Sequence, residues 1–200
     1  MSGKRILVLY GSTQLESLNR RLASVVAERL SKNDLEVTFP DVADYELPMY
    51  NADLELRHGI PDAALRLHEA LRTHQGVFIA SPEINANISP LLMNAIAWVS
   101  RVQENGGIQA AFGEPVYALG SASPGAFGGY RGLMALRNVL ELGLSAHVLP
   151  AMVSVGMANQ AFNEEGQLVP PMARQMLDRL VSQLDHAVSS RTQFNNGMPG

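Results

Sequence analysis

Ile6-Leu7-Val8-Leu9-Tyr10-Gly11-Ser12-Thr13-Gln14-Leu15-Glu16-Ser17-Leu18-Asn19 is the stretch from which the fold is read. Five consecutive apolar residues without polar alternation predict a strand buried on both faces, and Gly11 stops it. Leu22, Val25, Val26 and Leu30 then recur at helical spacing, with Ser17 placed to cap the helix start. A doubly buried strand, a polar loop and an amphipathic helix form the opening unit of a layered α/β fold if the pattern repeats.

It does repeat. Residues 35–39 read as a second strand ended by Pro40, followed by a weakly patterned loop through Pro48 and Asn51. Pro61-Asp62 opens a helix with apolar Ala64, Leu65, Leu67 and Leu71. Val77-Phe78-Ile79-Ala80 is a third strand, closed by Ser81-Pro82, and Pro90 starts a helix running to about Arg101. Residues 116–119 predict a fourth strand, and the Gly-rich segment 121–132 leads into a helix ending near Gly143. Residues 147–155 hold a fifth strand, and Pro170-Pro171 opens a last helix to about Val188. Five buried strands separated by helices predict one doubly wound α/β domain over residues 1–188, with a parallel sheet covered on both faces. The polar, Gly- and Pro-containing residues 189–200 are expected to form a flexible tail.

Composition narrows the function classes. Apolar residues make up 46% of the 200 and charged residues 17%, enough for a sizeable core. Cysteine is absent, which removes disulfides, thiolate nucleophiles and thiolate metal sites. The formal charge of −4 lacks the basic excess of a nucleic-acid binder. No apolar run approaches the length of a membrane span, and no signal-peptide pattern opens the chain, so a soluble cytoplasmic protein is expected. His58, His68, His74, His147 and His186 show no metal-ligand spacing, and no metal site is expected.

In doubly wound sheets, ligands bind outside the carboxyl ends of the strands. That rule selects three loops, 11–19, 81–89 and 121–132. In the first, the hydroxyls of Ser12, Thr13 and Ser17 and the amide of Asn19 can donate to an anion, and the following helix adds its N-terminal N–H groups. A phosphate suits it, although neither G-x-x-x-x-G-K-[ST] nor G-x-G-x-x-G is present. Arg20-Arg21 reads as a solvated helix face, with Arg20 the candidate to help neutralise that phosphate. In the second loop Pro82 fixes the turn, and its backbone amides can meet a flat heteroaromatic ring. Glu83 reads as a catalytic acid or, with more weight, as a cap on a neighbouring helix. In the third loop Gly125 and its neighbours let backbone approach a ligand closely. Ser123 also raises a serine hydrolase, but Ser121 stands where the nucleophile elbow requires Gly.

Three segments in order resemble a known family. They are Gly11-Ser12-x-x-x-x-Ser17-x-Asn19-Arg20, then Ser81-Pro82-Glu83-x-Asn85 with Leu92-x-Asn94-Ala95-Ile96-x-Trp98-x-Ser100-Arg101, then Ser121-Ala122-Ser123-Pro124-Gly125-x-x-Gly128-Gly129-x-Arg131. They are similar to the NAD(P)H-dependent FMN reductases, which include chromate, quinone and azo-dye reductases of flavodoxin-like fold. The resemblance spans roughly residues 4–165 and implies a five-stranded sheet of order 2-1-3-4-5. It implies FMN as cofactor, NADPH or NADH as hydride donor, and a small-molecule electron acceptor. The residues it implicates in cofactor binding are Ser12, Gln14, Ser17, Leu18 and Asn19 around the phosphate. Along the isoalloxazine it implicates Pro82, Glu83, Ile84 and Asn85, with Ser121, Ser123, Gly125 and Gly128 on the flavin's other side. No catalytic side chain is required, because the flavin carries the chemistry.

Four positions depart from the family pattern. Gln14 stands where the family has Arg, a difference on the order of 1–2 kcal/mol in phosphate binding. Ile84 replaces an aromatic, and Met93 and Ala97 replace Lys and Asp on the helix of residues 89–101. That helix is apolar nearly all round, which predicts burial on most sides. A homodimer through it, or a tetramer, is expected, and cover by the chain's own loops is the other reading. A flavin-binding carrier or regulatory protein with little turnover is the alternative to the enzyme.

Overall fold

A computed structural model of the chain describes residues 4–33 and 35–196, with residues 42, 43 and 192–196 followed in backbone alone. The central sheet contains β1 (Arg5–Tyr10), β2 (Glu36–Thr38), β3 (Gly76–Ala80), β6 (Val116–Ala122) and β7 (His147–Val155). All neighbours are parallel, in the order β2-β1-β3-β6-β7. Counting only the sheet's strands, this is 2-1-3-4-5, the flavodoxin-like order expected from the resemblance. Two further short strands, β4 (Glu83–Ile84) and β5 (Asn87–Ile88), form a separate antiparallel hairpin inside the second loop.

The unbroken apolar runs follow from cover on both faces. Ile6, Val8, Phe78, Ala118 and Val153 point to one side, where they pack against α1 (Leu18–Ser31) and α6 (Pro171–Asn196). Leu7, Val77, Ile79, Tyr117 and Leu119 point to the other. There they meet α3 (Asp62–Arg72), α4 (Pro90–Val99) and α5 (Tyr130–Asn138). Residues of the inner strands alternate between two cores, so runs such as Ile6–Tyr10 and Val77–Ala80 are apolar throughout and lack the usual polar alternation of a strand.

Four elements differ from the sequence reading. The fourth sheet strand continues to Ala122, because Gly120, Ser121 and Ala122 keep pairing with Val153, Ser154 and Val155. Gly120 lies so close to the Phe78 ring that a Cβ there would stand 2.7 Å from it. A short helix, α2 (Ala52–His58), occupies part of the weakly patterned loop. Its Asn51 cap accepts from Leu54 N at 3.0 Å and Gly59 ends it, but none of its residues is buried, so no apolar period marks it. The helix of α5 widens into a π-turn over Val139–Gly143 before ending. The last helix runs to Asn196 rather than Val188, since no Gly or Pro interrupts it before Gly197 and the Ser189 and Ser190 hydroxyls donate to carbonyls one turn back. The part of the expected tail from residue 197 on lies outside the described residues. Among the described residues no helix is long and apolar enough to cross a membrane.

Candidate functional site

Loops after β1, β3 and β6 meet at the carboxyl edge of the sheet around a cleft of about 380 Å³. Its lining includes Ser12, Gln14, Glu16, Ser17, Leu18, Asn19, Arg21, Pro82, Glu83, Ala122, Ser123, Pro124 and Asn159. Eight sequence-predicted residues are thus brought together: Ser12, Gln14, Ser17, Leu18, Asn19, Pro82, Glu83 and Ser123.

The first loop is pinned at both ends. Gly11 N donates to Ala80 O at 2.9 Å, and Ser89 Oγ, the cap of α4, donates to Gly11 O at 2.8 Å. A Cβ on Gly11 would stand 2.9 Å from that hydroxyl, so only glycine allows the approach. Ser12 Oγ accepts from Gln14 N at 3.2 Å, and Ser17 Oγ accepts from Arg20 N at 3.3 Å. Both serine oxygens act as acceptors toward the backbone, which leaves their hydroxyl protons to donate into the cleft. The N–H groups of Leu18 and Asn19 in the first turn of α1 lie outside the intrahelical ladder and add a positive dipole end.

Asn19 does something the sequence did not indicate. Its side-chain amide donates to Ala122 O and its carbonyl accepts from Ala122 N, both at 3.0 Å, at a position 5% exposed. The donor expected to serve an anion is engaged with β6, and the residue pins the start of α1 to the end of that strand. Arg20 also departs from its expectation. It lies 3.8 Å from Asp41 and near the Tyr10 ring, away from the cleft lining, and Arg21 is the cation that lines the cleft. Helical geometry accounts for this: position 21 is four residues after Ser17 and so shares its face.

The second loop folds back as the β4–β5 hairpin. Asn85 and Ala86 both have positive φ, 52° and 58°, the pair of values a two-residue type I′ turn requires. The Glu83 carboxylate takes the capping role. It accepts from Gly132 N at 3.0 Å and from the Arg131 guanidinium, with Nε at 2.9 Å. Burial pushes this carboxyl up, but the Arg131 and Gly132 donors outweigh it and hold the group below the usual carboxylate range. Ile84 and Asn85 are exposed on the hairpin and do not line the cleft as shaped.

In the third loop, Ser123 N donates to Val155 O and Ala158 N donates to Ser123 O, both at 3.0 Å, which ties the loop to the end of β7. Gly128 and Gly129 have φ of 58° and 79°, and a Cβ on Gly128 would stand 2.6 Å from Ser154 Oγ. Gly128 and Ser121 are buried beneath the loop, and Gly125 is exposed beside it, so none of the three lines the cleft. Among the described residues, Ser121 Oγ is buried without a hydrogen-bond partner. Ser123 Oγ accepts from Gly125 N at 3.3 Å. His147 opens β7 at the opposite end of the parallel sheet, so the hydrolase reading finds no base there.

Sequence reasoning missed Arg21, Glu16, Ala122, Pro124 and Asn159. Asn159 follows β7, whose loop carries no glycine-rich signature, and only the parallel pairing of β6 and β7 brings it to the cleft. The residues fit a phosphate-bearing ligand: the hydroxyl-bearing Ser12 and Ser17, the first turn of a 14-residue helix and Arg21 line a cleft of ligand size.

Comparison with known proteins gives a family. Residues 4–160 match the model of the NADPH-dependent FMN reductases. The chain is 31% identical over 191 residues to a quinone reductase of Escherichia coli (strain K12), covering 95% of this chain and 93% of that protein. It is 32% identical over 181 residues to a Pseudomonas aeruginosa NAD(P)H-dependent FMN reductase, covering 90% and 92%. In structure it resembles FerB, a flavoenzyme NAD(P)H:(acceptor) oxidoreductase from Paracoccus denitrificans, with a TM-score of 0.73 at 24% identity, covering 94% of this chain and 98% of that one. Loop order, cleft position and sequence match agree, and the chain belongs to the NADPH-dependent FMN reductase family.

Proposed function

We propose that the cleft holds FMN and that the protein is a reductase using NADPH or NADH to reduce a small-molecule acceptor: a quinone, an azo compound, a metal oxyanion or free flavin. The observation that carries this reading is the convergence of the Ser12 and Ser17 side chains with the first turn of α1 at the carboxyl edge of the sheet. FMN, held by the residues of the cleft, would supply the hydride- and electron-transfer chemistry. The chain's residues bind and orient. Ser12, Gln14, Ser17 and Leu18 hold the phosphate, and Asn19 fixes the helix start that presents those donors. Pro82 and Ser123 flank the ring system, with Glu83 bracing the hairpin that carries Ile84 and Asn85 at its rim. Ser121, Gly125 and Gly128 support the third loop. No side-chain acid or base is needed, and the reading places the enzyme in the cytoplasm, where its nicotinamide donors circulate.

The same reading includes a homodimer, on a smaller face than the sequence suggests. Trp98 is covered by this chain: its Nε1 donates to Pro48 O at 2.7 Å and the Tyr50 ring meets it edge-on at 5.0 Å. The remaining apolar groove lies between α4 and the end of α5, with Met93 43% and Leu142 82% exposed. A second copy of this chain is the proposed occupant, in keeping with the dimers the family resemblance implies.

Steady-state oxidation of NADPH and NADH at equimolar FMN, with each acceptor class in turn, tests the activity. Acceptor-dependent turnover is expected. Bound flavin with no turnover from either nucleotide would replace the enzyme with a flavin carrier.

A further inference from the structure

Among the described residues Arg21 is the one cation that lines the cleft, and Gln14 brings no charge. Its guanidinium stacks over the Phe162 ring at 4.6 Å, and no carboxylate lies within ion-pair distance of it among the described residues. The neighbouring arginines are committed elsewhere: Arg20 to Asp41, and Arg29 to Asp178 at 3.2 Å. The other formal charges of the lining are the carboxylates of Glu16 and Glu83, and Glu83 is held by Arg131. Among the described residues, a dianionic phosphate entering this cleft meets a single positive charge without an ion-pair partner. That charge sits on the first full turn of α1, on the face of the capping Ser17, near the helix's positive end.

We propose that Arg21 is the phosphate-binding cation of this protein, its guanidinium held in place by Phe162, and that it supplies from the helix the charge absent from position 14. The inference rests on the reading of the cleft as a flavin phosphate site. Arginine suits the role because its planar fork can stack on an aromatic ring while its N–H edge donates to phosphate oxygens. Phe162 is 9% exposed and sits in the loop after β7, so the ring that orients Arg21 is fixed by packing rather than by the ligand.

Fluorescence titration of wild type, Arg21→Gln, Arg21→Lys and Arg20→Gln with FMN and with riboflavin tests it, since riboflavin lacks only the phosphate. Loss of a charge-assisted contact predicts FMN binding weakened about tenfold or more in Arg21→Gln. Riboflavin binding should stay within about twofold and the melting midpoint unchanged, with Arg21→Lys intermediate. Arg20→Gln, which removes the same charge one residue away, should leave FMN affinity within about twofold. Equal weakening of FMN and riboflavin in Arg21→Gln would make the residue structural and overturn the proposal. So would unchanged FMN binding, or an equal effect of Arg20→Gln. A wild type that binds FMN no more tightly than riboflavin would instead refute the phosphate reading of the cleft itself.

Discussion

Replacing Asn19 with alanine should cost stability rather than a ligand contact. The side chain spans from α1 to β6 and satisfies both backbone groups of Ala122 at 3.0 Å, in a site 5% exposed. Truncation removes two hydrogen bonds and leaves an amide and a carbonyl of a buried residue without these partners, at about 1–2 kcal/mol each. The expected loss is therefore about 2–4 kcal/mol, a large part of the ~5–15 kcal/mol that stabilises a typical domain. In a chain of 200 residues this lowers the melting midpoint by roughly 5–12 °C. Urea unfolding followed by circular dichroism measures it directly. Asn19→Leu, which restores volume without polar atoms, should lose at least as much. An Asn19→Ala variant within about 0.5 kcal/mol of wild type would refute the argument. It would mean that the carboxamide does not hold α1 to the sheet and is available for the anion after all.

Three other outcomes follow from the geometry. Ala86 sits at φ 58° in the hairpin turn, so Ala86→Gly should stabilise the protein by about 0.5–1 kcal/mol in urea, and a destabilisation would contradict the strained turn. His74 is 8% exposed, with Nδ1 2.6 Å from Ala70 O and Nε2 2.8 Å from Thr38 Oγ1. Burial lowers its pKa from the ordinary 6.5, although the Ala70 carbonyl pulls the other way. The unfolded chain thus takes up the proton first, so stability is intact above pH 6.5 and falls as pH drops below it. His74→Gln should flatten that slope, and an unchanged slope would acquit the histidine. Finally, Met93→Glu combined with Leu142→Glu should give a monomer by analytical ultracentrifugation where wild type is a dimer; a monomeric wild type would remove the proposed interface.

The inner strands β1, β3 and β6 were legible because they are buried on both faces, and continuous runs such as 6–10 and 77–80 leave little else to read, whereas the edge strand β2 is exposed at Glu36 and Thr38. The wall-forming loops were legible because each follows such a run and is rich in Gly, Ser, Thr, Asn or Pro. What the sequence hid depends on contacts across the chain. Asn19 looks like any polar loop donor until β6 arrives beside it, more than a hundred residues later. Arg20 and Arg21 are indistinguishable until Asp41 claims one and Phe162 orients the other. Glu83 carried two readings, and Arg131 and Gly132 decided for the cap. The Trp98 side of α4 read as interface because nothing local predicts that Pro48 and Tyr50 fold over it.

Equilibrium dialysis of the purified protein against FMN, read by its visible spectrum, bears most directly on the cleft. One FMN per chain, with an absorption band shifted from that of the free cofactor and lost in competition with excess FMN analogue carrying the phosphate, is the expected result. A protein that takes up no flavin above its free concentration would contradict the central claim.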